Sequence, residues 1–251
     1  MIISTGSLSL DRLLGGGIRT GLLTDIYGPS GTGKSQLCFS LCVNSAKYLK
    51  QKEMIMFIDT VGTFRPERVS EIARQEINNE ILDKIIFIRA FSTNDQIKSL
   101  KKIYDIKPLL IIIDSATSLF STEYGGASRH LVLMNHLHEL SFAAINLDCA
   151  VVITNMVRNI PVVRTITDQG DNKVNKVIKT PPPPPPPTTT SNSYQQREFM
   201  GTSVSIYSHI KLRLEIVNSE KSIVRASLMQ PTRRGQVSFR IISRGFSDQI
   251  Q

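Results

Sequence analysis

The chain has 251 residues, 41% hydrophobic and 20% charged, a globular composition long enough to bury one substantial core. No apolar run approaches the ~20 residues that cross a bilayer, which argues against a helical membrane protein, and the first residues lack a basic-then-apolar leader, so a cytoplasmic location is expected. The net charge is +9, and from Val152 onward fourteen Lys and Arg face six acids, the electrostatic footprint of a polyanion partner.

In chain order, residues 21–28, "GLLTDIYG", read as a short apolar strand, and residues 34–49 place Leu37, Cys38, Leu41, Cys42, Ala46 and Leu49 at the three-to-four spacing of an amphipathic helix. A second strand covers residues 53–60, and Pro66, at home in a first helical turn, opens a helix through residue 74. Strands follow at residues 84–90, 108–115 and 149–155, whose near-continuous Ile, Leu and Val suit a parallel sheet covered on both faces. Between them lie helices over residues 94–103, capped by Ser92 or Thr93, and 130–147. Residues 156–200 contain seven consecutive prolines, Pro181 to Pro187, and are expected to form no regular structure. Beyond Ser208, "HIKLRLEIV", "SIVRASLM" and "QVSFRIIS" alternate apolar and polar residues, as half-exposed antiparallel strands do. The expectation is one α/β domain over residues 1–251, with 156–200 as a proline-rich insertion. Three cysteines, with no CxxC pair, read as buried reduced thiols.

The motif that carries chemistry is "GPSGTGKS": Gly28, Pro29, Ser30, Gly31, Thr32, Gly33, Lys34 and Ser35 satisfy G-x-x-x-x-G-K-[ST] between a strand and a helix. Glycines let successive backbone N–H groups curl round a phosphate, and the helix start adds about half a positive charge there. Lys34 would hold the β- and γ-phosphates of ATP, and Ser35 would ligate Mg²⁺. Asp114, ending the apolar "LLIIID", would supply the carboxylate that holds the metal through water.

The stretches "STGSLSLDRLLGGGIRTGLLTDIYGPSGTGKSQLCFSL", "FIDTVGTFRPERV", "FIRAFSTNDQ", "LLIIIDSATSLF" and "VVITNMV" together resemble the RecA/RadA recombinase family on its archaeal and eukaryotic branch. The resemblance implies a RecA-like P-loop NTPase core with a mostly parallel sheet and ATP and Mg²⁺ as cofactors. Because Met1 opens directly on the core, a RadB-like paralogue without the helical domain and polymerisation linker is expected. Such a protein would bind single-stranded DNA and assist a RadA-type recombinase or associate with itself.

Two positions depart from the family pattern. Where D-T-E-G-T-F has the acid that acts as general base on the attacking water, this chain has Val61, which cannot accept a proton, so ATP hydrolysis is expected to be weak or absent. Where T-N-Q ends in the glutamine that senses the γ-phosphate, this chain has Met156, a poor hydrogen-bonding substitute. Asp59 is the nearest substitute base. The resemblance places DNA contacts at Arg129, near the end of the first DNA loop, and in the second loop, which corresponds here to the proline-rich segment with Arg158, Arg164, Lys173, Lys176 and Lys179. Arg65 and Arg68 either pair with a neighbouring protomer or are solvated. His136 and His138 lie two apart, on different helix faces, which argues against a metal pair. The competing readings are a DNA-stimulated ATPase with another base and a KaiC-like signalling ATPase.

Overall fold

A computed structural model describes residues 1–50, 53–73, 80–161, 194–232 and 235–249. The chain forms two compact units, Met1–Val157 with Glu198–Gln251, and Arg158–Arg197.

The larger unit begins with β1 (Ile2–Ile3), α1 (Leu8–Leu13) and β2 (Ile18–Arg19). Then come β3 (Leu23–Gly28), α2 (Lys34–Ser45), β4 (Ile55–Asp59), α3 (Pro66–Ile72), β5 (Ile85–Arg89), α4 (Thr93–Ile106) and β6 (Leu110–Asp114). Next are α5 (Ser118–Glu123), α6 (Gly126–Leu147) and β7 (Ala150–Pro161), whose last residues enter the smaller unit together with most of β8 (Tyr194–Glu198). The chain finishes with α7 (Gly201–Tyr207), β9 (Ile210–Asn218), β10 (Ile223–Gln230), β11 (Gln236–Ile242) and β12 (Gly245–Ser247).

The main sheet runs β12-β11-β10-β9-β3-β7-β6-β4-β5, and β8 pairs with β7. Pairing is parallel from β9 through β3, β7, β6 and β4 to β5, and antiparallel from β9 to β12. Successive strand side chains point to opposite faces. Ile55, Phe57, Leu110, Ile112 and Val152 therefore pack with Leu37, Cys38 and Leu41 of α2, while Met56, Ile58, Ile111, Ile113 and Ile153 pack with Leu133, Leu137 and Leu140 of α6. Both faces of β6 are buried, which is why "LIIID" shows no alternation.

The parallel strands and the antiparallel C-terminal strands stand as the sequence predicts. The helix expected over 34–49 ends as α-helix at Ser45 and tightens into a 3₁₀ turn, Ala46–Tyr48. Ser92 caps α4 in a capping box with Asp95. The expectation of no regular structure across 156–200 is corrected at its two ends, because β7 continues to Pro161 and β8 occupies Tyr194–Glu198. Their mutual pairing supplies backbone partners that local polarity does not announce. The seven prolines and Arg74 lie outside the described residues. The cysteines Cys38, Cys42 and Cys149 are free and buried. No described helix is long and apolar enough to cross a membrane.

Candidate functional site

The phosphate-loop motif folds as its sequence demands. A Cβ on Gly28 would stand 2.2 Å from the Leu214 carbonyl oxygen, so only glycine allows β3 to pass β9 this closely. Gly33 caps α2 at φ +84°, a left-handed conformation that glycine adopts without strain. Burial pulls the Lys34 ammonium below the usual lysine range, and Asp114 opposes that shift. Its Nζ donates to the carbonyls of Gly28 (2.9 Å) and Pro29 (2.7 Å), folding the cation over the loop.

Asp114, at the end of β6, is the centre of a hydroxyl cluster. Its Oδ2 accepts from Ser35 Oγ (2.5 Å) and Thr63 Oγ1 (3.0 Å), and its Oδ1 accepts from Thr154 Oγ1. Beside it opens a cleft of about 680 Å³ lined by Ser30, Gly31, Gly33, Lys34, Ser35 and Gln36 from one wall. Val61, Thr63, Asp114, Ser115, Thr154, Asn155, Met156, Val157 and Ile241 complete it. That volume is in the range of small-molecule and cofactor sites. Asp114 is the one carboxylate among these lining residues.

Val61 and Met156 both line this cleft, and Val61 is 43% exposed. Asp59 does not face it. Its Oδ1 accepts the backbone N–H groups of Val61 (3.0 Å), Gly62 (2.7 Å) and Thr63 (3.3 Å), and its Oδ2 accepts that of Phe64 (3.1 Å). Arg89 Nη1 completes the set at 3.0 Å. Buried to 2% exposure, Asp59 fixes the turn that presents Val61 and is not placed to act as a base.

The remaining candidates separate. Arg129 donates from Nε to the Tyr124 carbonyl (2.6 Å), and its guanidinium lies 5.8 Å from the Phe199 ring centre. Arg158 is exposed and falls in the smaller unit. Arg164, Lys173, Lys176 and Lys179 lie outside the described residues. Arg68, expected to be solvated or to meet another protomer, is tied within the chain to Gln36 (2.8 Å), Glu71 (2.6 Å) and the Ile242 carbonyl (2.9 Å). Arg65 bonds the carbonyls of Gly62 and Phe64. His136 is buried against Gln96, while His138 is exposed. Among the described residues, no group of three or more His, Cys, Asp or Glu converges as a self-sufficient metal cage would require.

The donor set nonetheless fits a nucleotide with its metal. Mg²⁺ in such sites is held by one or two protein oxygens, phosphates and water, and Ser35 Oγ beside Asp114 would supply the protein part. Ser115 Oγ and Gln36 Nε2 are buried atoms without a hydrogen-bond partner among residues lining the same cleft. Such atoms are costly unless a ligand or water meets them. Sequence reasoning overlooked Thr63, Ser115 and Gln36; Thr63 lies two residues beyond Val61 and was the most accessible of the three to a pattern argument.

A P-loop followed by a helix, an acid ending a buried strand one place removed in the same sheet and this strand order define a RecA-like P-loop core. The Rad51 family pattern matches residues 1–180, and the chain belongs to the Rad51 family. It is 41% identical over 175 residues to "DNA repair and recombination protein RadA" of Cenarchaeum symbiosum, covering 64% of this chain and 44% of that protein. It is 40% identical over 168 residues to "DNA repair protein Rad51 homolog" of Drosophila melanogaster, covering 62% and 50%. With RadA of Ignicoccus hospitalis the identity is 38% over 173 residues, covering 62% and 53%. The chain thus spans about half the length of the curated relatives it matches.

Proposed function

We propose that this protein is an ATP-holding accessory factor of DNA recombination and repair, which binds single-stranded DNA, assists a RadA-type recombinase or associates with itself, and hydrolyses ATP slowly or not at all. In this reading Gly28 to Ser35 wrap the phosphates, Lys34 turns from the loop carbonyls to the β- and γ-phosphates, and Ser35 and Asp114 hold Mg²⁺. Bound Mg²⁺ would neutralise phosphate charge; it would not replace a proton acceptor for the attacking water. The observation that carries the reading is Val61 on the cleft wall, with Asp59 committed to the turn and Asp114 the sole carboxylate among the described residues that line the cleft. Losing a positioned general base costs about 10² to 10⁴ in rate, while binding groups remain. The DNA limb is supported by the basic excess after Val152 and by the relatives' names. An intracellular, DNA-associated place of action goes with it.

The test is phosphate release from Mg-ATP, with and without single-stranded DNA, for the natural protein and Val61→Glu, beside a nucleotide-binding titration. Binding with turnover that rises at least about 10²-fold in Val61→Glu supports the reading. Efficient DNA-stimulated release by the natural protein, unimproved by the glutamate, overturns it.

A further inference from the structure

Helix α6 is apolar on two opposite sides. On one side Leu133, Leu137, Leu140 and Ala144 are buried in the core against the sheet. At about 100° per residue, Leu131, Asn135, His138, Phe142 and Ile145 fall within about 80° of one another on the other side, directly opposite that core stripe. Leu131, Phe142 and Ile145 are between 51 and 62% exposed, and Ile206 of the adjoining α7 is 59% exposed. His138 is exposed too. Its ring stacks on Phe142 with centroids 6.3 Å apart and meets Tyr207 edge-on at 5.8 Å, so the three rings form one preset surface. A surface helix ordinarily has polar residues opposite its apolar stripe. Scattered exposed apolar residues need no explanation, but a contiguous row of them marks an interaction site.

The spacing of the row indicates what covers it. Its steps of four, three, four and three residues are the a/d repeat by which one helix sets knobs into the holes of another. Asn135 takes an a position, where a single polar residue fixes register. The ends of α6 give the direction of the partner. A helix is positive at its N-terminus and negative at its C-terminus. α6 has Arg129 and no acid in its first turn, and Asp148 as C-cap with no base in its last turn, so each end carries the charge that its own dipole opposes. An antiparallel helix with the same ends relieves both mismatches, laying Asp148 and a negative end against Arg129, and the reverse at the other end.

A second α6 has both the matching seam and the matching ends. We infer that this face is the interface of a two-fold dimer, in which α6 of a second copy lies antiparallel across it with His138 on the symmetry axis. Such a contact is isologous: Leu131 meets Ile145 of the second copy, and Phe142 packs beside the second copy's Asn135, each twice over. Leu131, His138, Phe142, Ile145 and Ile206, about half exposed, present on the order of 100 Å² apiece, so two copies bury about 1,000 Å², the lower limit for a specific interface. Glu139 flanks the seam beside the axis and meets its own counterpart there, a like-charge cost. The dimer is therefore weak and concentration-dependent, and its closed symmetry stops it at two copies. None of these residues lines the nucleotide cleft, so the contact stands or falls apart from the ATP-holding reading.

The experiment is sedimentation equilibrium of the full chain, without nucleotide or DNA, over a wide concentration series. The natural protein is expected to rise from the mass of one chain toward that of two. Phe142→Asp, on the solvent side of α6, should weaken association by about 30-fold or more, as loss of a central hot-spot side chain does, with the melting temperature little altered. A mass of one chain at every concentration overturns the interface, as does association that Phe142→Asp leaves unchanged. Direction is read from introduced cysteines under a mild thiol oxidant, since Cys38, Cys42 and Cys149 are buried. His138→Cys, on the axis, should give a disulfide-linked dimer. Leu131→Cys, whose counterpart stands about 20 Å away along the paired helices, should not. Linkage through Leu131→Cys marks a parallel or shifted pair, and no linkage through His138→Cys marks a different face; either result overturns the antiparallel dimer. Should Phe142→Asp fail to fold, the two cysteine variants decide alone.

Discussion

Asp59→Asn separates a structural aspartate from a substitute base. The amide can keep its oxygen where Oδ1 now meets the N–H groups of Val61, Gly62 and Thr63, but its NH₂ then faces the Phe64 N–H, which donates to Oδ2 at 3.1 Å. One charge-assisted hydrogen bond, worth about 1.5–3 kcal/mol, is lost and two donors are opposed. Arg89, 29% exposed and 3.0 Å away, also loses its counter-charge, a contribution that solvent screening holds below about 1 kcal/mol. Together the expected loss is about 2–4 kcal/mol, which at about 2–4 °C per kcal/mol for a chain of this size lowers the melting temperature by roughly 5–15 °C. Thermal unfolding followed by circular dichroism reads this directly. Phosphate release, measured on the folded variant at a temperature below its transition, should match that of the natural protein. An unchanged melting temperature with turnover reduced by about 10² or more would mean that Asp59 is the base and that the cleft has been misread.

Lys34→Met removes a cation expected to make charged hydrogen bonds of about 1.5–3 kcal/mol to phosphate, so nucleotide affinity should fall about 10- to 100-fold by calorimetric titration, with the melting temperature of the nucleotide-free protein little altered. His136, whose burial lowers its pKa to about 3, stays neutral in the folded state while the unfolded chain takes up a proton below about 6.5. The unfolded state therefore gains as pH falls, and stability should drop by about 1.4 kcal/mol per pH unit across that window; in urea titrations at pH 7, 6 and 5, His136→Gln should remove this slope. If the basic C-terminal half meets DNA phosphates, the logarithm of single-stranded DNA affinity should fall linearly with the logarithm of salt by about 0.7 per phosphate contacted, and a flat salt series would refute that limb.

What the sequence made legible was whatever local chemistry repeats or clusters. "LIIID" reads as a strand buried on both faces because Leu110 to Ile113 alternate between two apolar clusters, and "GPSGTGKS" reads as a phosphate loop because strand, glycines, lysine and helix are contiguous. Helices α1, α5 and α7, of six, six and seven residues, are too short to establish a period and passed unseen. Arg68 looked like a surface cation because nothing nearby in sequence announces Gln36 or the Ile242 carbonyl. The network in which Asn155 bonds Glu198, and Lys211 meets both Glu198 and Asp25, was invisible for the same reason, since parallel pairing of β3 with β7 and β9 joins residues up to 186 positions apart. That network also changes how the charge count is to be used. Lys211 is one of the fourteen basic residues after Val152, yet it is 4% exposed and committed to Asp25 and Glu198, and Arg213 is paired with Glu215 at 2.7 Å. Neither presents an unpaired charge to a polyanion, so the proposed DNA contact has to rest on other basic residues of this half.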